Sequence, residues 1–158
     1  MWKDAVEMRE AVRNQEVSPV ELVQESLEKI HAFNPELKAV VHIQAERALE
    51  DAKTRSCEGL PFGGVPLLLK DLGQNQAGEP SSCGSKLLKD IPMKRTAIFV
   101  KRLEEAGFII VGRTNIPEFG FKNMTEAKLW GPVNNPYDLK RNAGGSSGGA
   151  AAAVASGM

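Results

Sequence analysis

The stretch Val65-Pro66-Leu67-Leu68-Leu69-Lys70-Asp71 decides the fold of this chain. Its apolar run is too short for a helix and predicts a buried strand, with the proline near the beginning, where a strand tolerates it. The strand leads directly into Lys70 and Asp71. A lysine at the end of a buried strand is a candidate functional group. From the residues alone, however, a solvated strand end or a Lys70–Asp71 surface pair is the favoured explanation.

A helix and a second strand follow this first strand. Thr96 is placed to cap a helix that continues through Glu105, and Gly107 fits the position just past the helix end. The run Phe108-Ile109-Ile110-Val111-Gly112 predicts another buried strand. A strand, a helix and a strand in this order indicate an α/β fold whose sheet is at least partly parallel.

The region upstream is predicted to be mainly helical. Residues Asp4 to Arg13 show apolar side chains on one helical face. Ser18-Pro19-Val20-Glu21 predicts a second helix start, because serine caps, proline suits the first position and Glu21 completes a capping box. Asn34-Pro35 is expected to end that helix, since the residue before proline disfavours helical dihedrals. A strand at Ala39–Ile43 and a helix at Gln44–Lys53 follow.

A glycine-serine stretch precedes the last predicted helix. It reads Ala143-Gly144-Gly145-Ser146-Ser147-Gly148-Gly149-Ala150 and continues into the alanine-rich residues 151–156. A turn that opens a helix presents free N–H groups and the positive end of the helix dipole, which suit negative charge. A flexible linker is one alternative, although alanine is a strong helix former. A phosphate cradle is another, although the Lys-Ser/Thr ending of a P-loop is absent.

The remaining polar and aromatic residues are weaker candidates for a role in catalysis or binding. Residues 72–85 and 113–141 are predicted to be mostly loop. Trp130 is expected to pack its loop rather than to bind substrate. The two histidines, His31 and His42, are expected to be surface or core residues. The loop carboxylates Glu118, Glu126 and Asp138 are expected to be solvated or to cap.

Composition indicates one ordinary globular domain. The 158 residues are 42% hydrophobic and carry 20 basic and 20 acidic side chains, which gives no reason to expect a nucleic-acid or membrane-surface partner. No apolar run approaches the roughly 18 residues of a membrane span. The charged segment Met1–Glu7 lacks the apolar core of a signal peptide, so a cytoplasmic location is expected. Cys57 and Cys83 have no metal-like spacing and are expected to be free thiols.

Three blocks of the sequence resemble the amidase signature family. The first is Gly63-Gly64-Val65-Pro66-Leu67-Leu68-Leu69-Lys70-Asp71. The second runs from Arg102-Leu103 through Ala106-Gly107 to Val111-Gly112-Arg113-Thr114-Asn115-Ile116-Pro117-Glu118-Phe119. The third is Gly131-Pro132-Val133-Asn134-Asn135-Pro136-Tyr137-Asp138-Leu139, followed by Gly144 to Gly149. The blocks occur in the family's order, and the resemblance reverses the preference for a merely solvated Lys70.

The resemblance implies a fold and an activity. The expected fold is the N-terminal part of an α/β/α layered domain around a mixed, twisted sheet. Residues 1–158 would then form a single truncated domain, with N-terminal helices at about 1–55 and the motif-bearing α/β part at about 60–158. Members of the family cleave or transfer at carbon–nitrogen amide bonds with a Ser–Ser–Lys triad. They use no metal and no organic cofactor, so neither is expected here.

The resemblance also implies roles for individual residues. Lys70 matches the triad lysine, and Ser146 matches the bridging serine, whose peptide bond to Gly145 is cis in the family. Ser147 supports the site by hydrogen bonding, and Gly144 and Gly145 support the turn. These residue types suit the chemistry, because a serine hydroxyl needs a base to take its proton. A lysine is a base only when neutral, and burial disfavours its charged form.

One departure from the family affects the expected function. The family's acylated serine lies beyond the alanine-rich helix, and no serine of this sequence occupies that position. The chain is therefore expected to carry the base and the relay, and to be inactive alone. Its expected partner is a small amide substrate, with homo-oligomers or transamidase subunits as further partners. The alternatives are a component of a glutamine-dependent tRNA transamidation complex, or a short binding or regulatory module without catalysis.

Overall fold

A computed structural model of the protein describes residues 4–158. The first three residues of the expected domain 1–158, and of the charged segment Met1–Glu7, therefore lie outside the described part. Five helices are present there: α1 (Ala5–Arg13), α2 (Pro19–Leu37), α3 (Ala45–Thr54), α4 (Ile98–Glu105) and α5 (Gly148–Ser156). The three strands of the main sheet are β1 (Val40–Ile43), β2 (Pro66–Lys70) and β3 (Ile109–Thr114).

The main sheet is mixed, with strand order β1-β3-β2. Strands β2 and β3 are parallel and are joined through α4, as the strand-helix-strand pattern predicts. Strand β1 pairs antiparallel with the other edge of β3. The central strand is buried along its whole length, so the sheet forms the middle layer of the molecule.

Helices cover both faces of this sheet. Ile109 and Val111 of β3 point into a cluster built from α2, α3 and α5. Ile110, the residue between them, points into a second cluster with Leu69 of β2 and Val100 of α4. Alternate residues of a strand face opposite sides of a sheet, and each side here meets helices. The chain is thus an α/β/α layered structure around a mixed sheet, as expected.

The starts of the first two helices agree with prediction. Asp4 caps α1 through its side chain, which accepts hydrogen bonds from two backbone N–H groups of the first turn. The capping box at the start of α2 is complete: the Ser18 hydroxyl accepts from the Glu21 N–H, and the Glu21 carboxylate accepts from the Ser18 N–H. These reciprocal bonds satisfy donors that a helix start otherwise leaves free.

The predicted end of α2 is wrong. The helix continues through Pro35 to Leu37 and is closed by Lys38 in the left-handed conformation. The restriction on the residue before proline is a preference, and here the buried Leu37 anchors the last turn in the main core. The Asn34 side chain also bonds both the N–H and the C=O of Val40, which ties the helix end to β1.

Two further expectations need correction. The side chain of Thr96 does not cap α4, because its hydroxyl accepts a hydrogen bond from the Ala77 N–H instead. The region 113–141 is more ordered than predicted. It holds a 3-10 turn at Glu118–Gly120, a hairpin of β4 (Glu126–Ala127) with β5 (Gly131–Pro132), and a hairpin of β6 (Asn134–Asn135) with β7 (Asp138–Asn142).

No helix among residues 4–158 combines the length and the apolar character that a bilayer crossing requires.

Candidate active site

Lys70 is the last residue of β2, where its backbone is held on several sides. It pairs with Thr114 in the parallel β2–β3 ladder. Its N–H donates to the Gln74 side-chain oxygen over 2.6 Å. The Arg113 guanidinium donates to the Gln74 carbonyl over 2.9 Å and lies 3.5 Å from the Lys70 carbonyl oxygen. These bonds fix the Lys70 backbone at the end of β2, and with it the position from which the half-buried side chain extends.

The Lys70 side chain reaches the two adjacent serines of the glycine-serine stretch. Its Nζ atom lies 2.9 Å from the Ser146 Oγ atom and 2.9 Å from the Ser147 Oγ atom. The peptide bond between Gly145 and Ser146 is cis, in agreement with the expectation from the resemblance. The structure thus brings together Lys70, Ser146 and Ser147, three of the five residues that the sequence analysis selected.

Gly144 and Gly145 form the turn before the two serines. Gly144 adopts a positive φ of 83°, a conformation that glycine accepts without steric cost. A Cβ atom on Gly145 would lie 3.0 Å from the backbone of Asn123 and Met124, so the turn packs closely against that segment.

Two residues that the sequence analysis missed hold this turn in place. Thr125 donates both its N–H and its hydroxyl to the Gly144 carbonyl. The Asn142 side chain accepts from the Gly144 N–H over 2.8 Å and donates to the Thr125 carbonyl over 2.9 Å. Thr125 lies in the region predicted to be loop and Asn142 directly follows that region. The two residues are 17 positions apart in the sequence, so no local pattern relates them.

The first N–H groups of α5 are not free, contrary to expectation. The Gly148 N–H donates to the Thr125 hydroxyl, and the Gly149 N–H donates to the Asn115 carbonyl. A Cβ atom on Gly149 would lie 2.5 Å from the carbonyl oxygens of Ala39 and Asn115, so this helix start is packed against the sheet. These contacts speak against a phosphate cradle at Gly148 and Gly149, since cradles need unoccupied donors.

The carboxylate that follows the lysine is buried. Asp71 is 1% exposed and accepts hydrogen bonds from the backbone N–H and the hydroxyl of Ser82. Burial raises the pKa of Asp71, while the Ser82 bonds and the charge of Arg113 oppose that rise. The alternative of a Lys70–Asp71 surface pair, which the residues alone had left open, is therefore wrong, because the carboxylate is buried.

The other polar candidates have structural partners. The His42 ring lies 2.8 Å from Glu79, and Trp130 donates its indole N–H to Ser82, which agrees with a packing role. Glu126 and Asp138 form ion pairs with Lys122 and Arg141, respectively. Both cysteines are free, and burial raises the pKa of each thiol, which favours the unreactive protonated form. Within residues 4–158, no three His, Cys, Asp or Glu side chains converge as metal ligands.

An open cavity of the described structure lies elsewhere. It measures about 780 Å³ and is lined by α1 residues such as Arg9 and Arg13 and by residues 57–61 and 63. Lys70 and the two serines are not among its lining residues. The chemistry of the site therefore rests on the three side chains and their hydrogen bonds.

The arrangement can move a proton. A neutral amine has one lone pair and can accept a proton from one hydroxyl while donating to the other, whereas an ammonium donates to both. A hydroxyl that is hydrogen-bonded to a neutral amine is a path along which the amine can draw a proton from a further group.

Comparisons with known proteins find similar sequences over most of the chain. The Amidase family profile matches residues 21–158. A lipoamidase of Enterococcus faecalis is 46% identical over 151 residues, which are 96% of this chain and 21% of that protein. A glutamyl-tRNA(Gln) amidotransferase subunit of Acidothermus cellulolyticus is 40% identical over 159 residues, which are 97% of this chain and 31% of that protein.

A solved structure is also closely similar. The structure of 6-aminohexanoate cyclic dimer hydrolase complexed with substrate superposes with a TM-score of 0.92 at 40% identity. The match covers 98% of this chain and 32% of the hydrolase. The chain thus spans about a fifth to a third of the length of these three proteins.

Proposed function

The chain belongs to the amidase family, and from this membership we propose that it carries the base and the proton relay of an enzyme that hydrolyses amide carbon–nitrogen bonds. The observation that carries the proposal is the pair of 2.9 Å hydrogen bonds from Lys70 Nζ to the Ser146 and Ser147 hydroxyls.

In the proposed reaction, a serine hydroxyl attacks the amide carbonyl carbon. As its oxygen bonds to that carbon, its proton passes to the Ser146 Oγ atom, and the proton of Ser146 passes to the neutral Lys70 amine. When the carbon–nitrogen bond breaks, the same path returns a proton to the departing amine. Water then hydrolyses the acyl-serine, and Lys70 accepts and returns a proton once more.

The attacking serine is proposed to lie outside residues 1–158. The relatives described above are about three to five times longer than this chain, in proportion to the 21–32% of their length that it matches. The serines nearest to Lys70 within its own loop are Ser81, Ser82 and Ser85, and all three are buried. Ser147, the second hydroxyl at the lysine, is proposed to hold the amine in place rather than to be acylated.

The test is the substitution Lys70→Ala in the full-length protein. Hydrolysis of amides should fall by at least about 10³-fold, because general base catalysis contributes on that order. The matched control is Lys140→Ala, which removes an exposed lysine of β7. Release of amine or ammonia from a panel of aryl, aliphatic and lipoyl amides is the measurement. Activity of Lys70→Ala within a few-fold of the control would reject the proposed base.

A second candidate function is that of a transamidase component. It is favoured by the 40% identity to the amidotransferase relative, which extends over 97% of this chain. The two candidates differ in substrate and in dependence on partners. Hydrolysis of glutamine that appears only when tRNA-amidotransferase partner subunits are added would support the second candidate. Turnover of simple amides by the protein alone would support the first. A cytoplasmic location stays a prediction in both cases.

A further inference from the structure

Three segments of the chain meet at the Ser82 side chain. Asp71, directly after the candidate base, accepts from the Ser82 N–H over 2.9 Å and from the Ser82 hydroxyl. The Ser82 Oγ atom in turn accepts from the Gly84 N–H over 3.0 Å and from the Trp130 indole N–H over 3.1 Å. Ser82 is only 4% exposed, so these bonds form in the interior. The end of β2, the loop after it and the β4–β5 hairpin are joined at one point.

The direction of these hydrogen bonds is fixed by chemistry. A backbone N–H and an indole N–H can only donate, so both lone pairs of the Ser82 hydroxyl are used as acceptors. Its single proton must then point to Asp71. Both Asp71 oxygens are consequently acceptors. The hydrogen bonds therefore run from the Trp130 indole to the Ser82 hydroxyl, and from Ser82 to the Asp71 carboxylate.

This chain of bonds is attached to the backbone of Lys70. The Asp71 N–H donates to the Thr114 carbonyl over 3.3 Å and extends the β2–β3 pairing by one residue beyond the lysine. The next turn of the loop supplies Gln74, which accepts from the Lys70 N–H. The end of β2 is therefore held by the hydrogen bonds of the Asp71 side chain, by the pairing of β2 with β3 and by the Gln74 side chain.

Resting on the proposed function, we propose that Asp71 is a positioning residue for Lys70, which acts through Ser82 and Trp130 to fix the strand end that carries the base. The hydrogen bonds of the Asp71 side chain go to Ser82 and not to Ser146 or Ser147. Its effect is transmitted by the geometry of the backbone that it shares with Lys70. A base in a fixed position catalyses the reaction faster than a mobile one, because small displacements of reacting groups greatly reduce the reaction rate.

The sharpest variant is Asp71→Asn, which keeps size and shape. The amide must present its NH2 group either to the Ser82 N–H or to the Ser82 hydroxyl, and each arrangement loses at least one of the two bonds. In the full-length protein, kcat should fall about tenfold or more while KM changes by less than about twofold. Trp130→Phe removes only the far donor of the chain, and its kcat should fall by about threefold.

A second measurement reports on the Lys70 amine and does not require the protein to hydrolyse a substrate. Competitive reductive methylation with formaldehyde and cyanoborohydride, read by peptide mass spectrometry, reports how accessible each amine is. The ratio of Lys70 to Lys140 labelling in the unsubstituted protein is the reference value, because Lys140 is exposed. In Asp71→Asn the ratio of Lys70 to Lys140 labelling should rise about three- to tenfold, the factor that corresponds to one lost hydrogen bond.

The matched control is Gln44→Ala. Gln44 is also buried, and its side chain donates to the Ile110 carbonyl on β3, away from the Lys70 end of the sheet. This variant should lower the unfolding temperature while kcat and the Lys70 labelling ratio stay unchanged. A merely structural role for Asp71 would give the same pattern as this control.

The outcomes separate the two proposals. Loss of kcat together with increased Lys70 labelling in Asp71→Asn supports the positioning role. Unchanged kcat and unchanged labelling in folded Asp71→Asn and Trp130→Phe overturn it while leaving the amidase proposal intact. If the unsubstituted protein hydrolyses no amide, the proposed function fails, and the labelling ratio alone then decides whether Asp71 positions Lys70.

Discussion

The Lys70 Nζ atom faces two hydroxyl groups at the same distance of 2.9 Å, and a neutral amine can accept a proton from only one of them. The choice between Ser146 and Ser147 therefore determines the direction of the relay. Ser146 is half-buried and follows the cis peptide bond, whereas Ser147 is exposed and directly precedes the first residue of α5. These different surroundings support different roles for the two serines: proton transfer for Ser146 and positioning of the Lys70 amine for Ser147.

We predict that Ser146→Ala loses about 10²- to 10⁴-fold in kcat, the range of a lost general acid–base step. Ser147→Ala should lose about tenfold or less, because the lysine then lacks one hydrogen bond but keeps its path to Ser146. Steady-state amide hydrolysis by the full-length protein is the measurement.

Ser156→Ala serves as the control for both variants. Its hydroxyl bonds to carbonyls of α5 at the far end of the same helix, so its removal tests any general effect on that helix. A nearly neutral Ser146→Ala beside a severe Ser147→Ala would reverse the proposed roles.

The residues of the site were partly predictable from sequence. Lys70 and the two serines stand in short motifs whose residue types suit the chemistry. The roles of Thr125, Asn142 and Asp71 were not predictable, although Asp71 stands in the same motif as Lys70. These roles depend on hydrogen bonds to residues 11 to 19 positions away. Threonine, asparagine and aspartate are ordinary loop residues, and no local pattern distinguishes those that hold a turn.

At the scale of elements, Glu79 ties the loop after β2 to the neighbouring β1 and α3. Its carboxylate lies 2.8 Å from the His42 ring of β1 and 3.3 Å from the Arg47 guanidinium of α3. Arg47 also donates to the Ala77 carbonyl over 3.1 Å. Burial raises the pKa of Glu79, but the hydrogen bonds from His42 and Arg47 outweigh burial, and the pKa lies below its usual range.

This tether should make stability depend on pH. Because the folded-state pKa of Glu79 is lowered, its contribution is fully present above the unfolded value of about 4.3 and is lost as the pH falls through the lower folded value. The urea midpoint should therefore drop more steeply on acidification below that pH in the unsubstituted protein than in Glu79→Gln.

Arg47→Met removes one of the two partners and should give an intermediate slope. Urea unfolding followed by circular dichroism at a series of pH values provides the comparison. Parallel midpoint curves for the unsubstituted protein and Glu79→Gln would show that the tether contributes no acid-dependent stability.

The main elements were easier to predict than the connections between them. Strands β2 and β3 are continuous apolar runs, and the start of α2 has a complete capping box, so local signals agree with the fold there. The hairpins β4–β5 and β6–β7 contain strands of only two residues beside glycine and proline. A strand of two residues is too short to show an alternating pattern in the sequence.

At the scale of the whole molecule, the described surface exposes large apolar side chains. Phe121 is 88% exposed, Tyr137 is 85% exposed and Val154 on α5 is 81% exposed. Burial of these side chains against another molecule would remove apolar surface from water, which favours association.

We therefore predict that a polypeptide of residues 1–158 alone self-associates as its concentration rises. Light scattering after size-exclusion chromatography measures this, and the combined variant Phe121→Ser and Val154→Ser should associate less. A single monomeric species at every concentration would contradict the prediction.

The bond between Lys70 and Ser146 joins residues that are 76 positions apart, and this separation has a consequence for synthesis of the chain. Both parallel strands and α4 lie within residues 66–114, so the base and its strand leave the ribosome well before the glycine-serine turn. Closing so long a loop costs conformational entropy, so it becomes favourable only after the earlier contacts have formed. The nascent chain should consequently acquire its sheet first and its proton path last, when translation has passed α5.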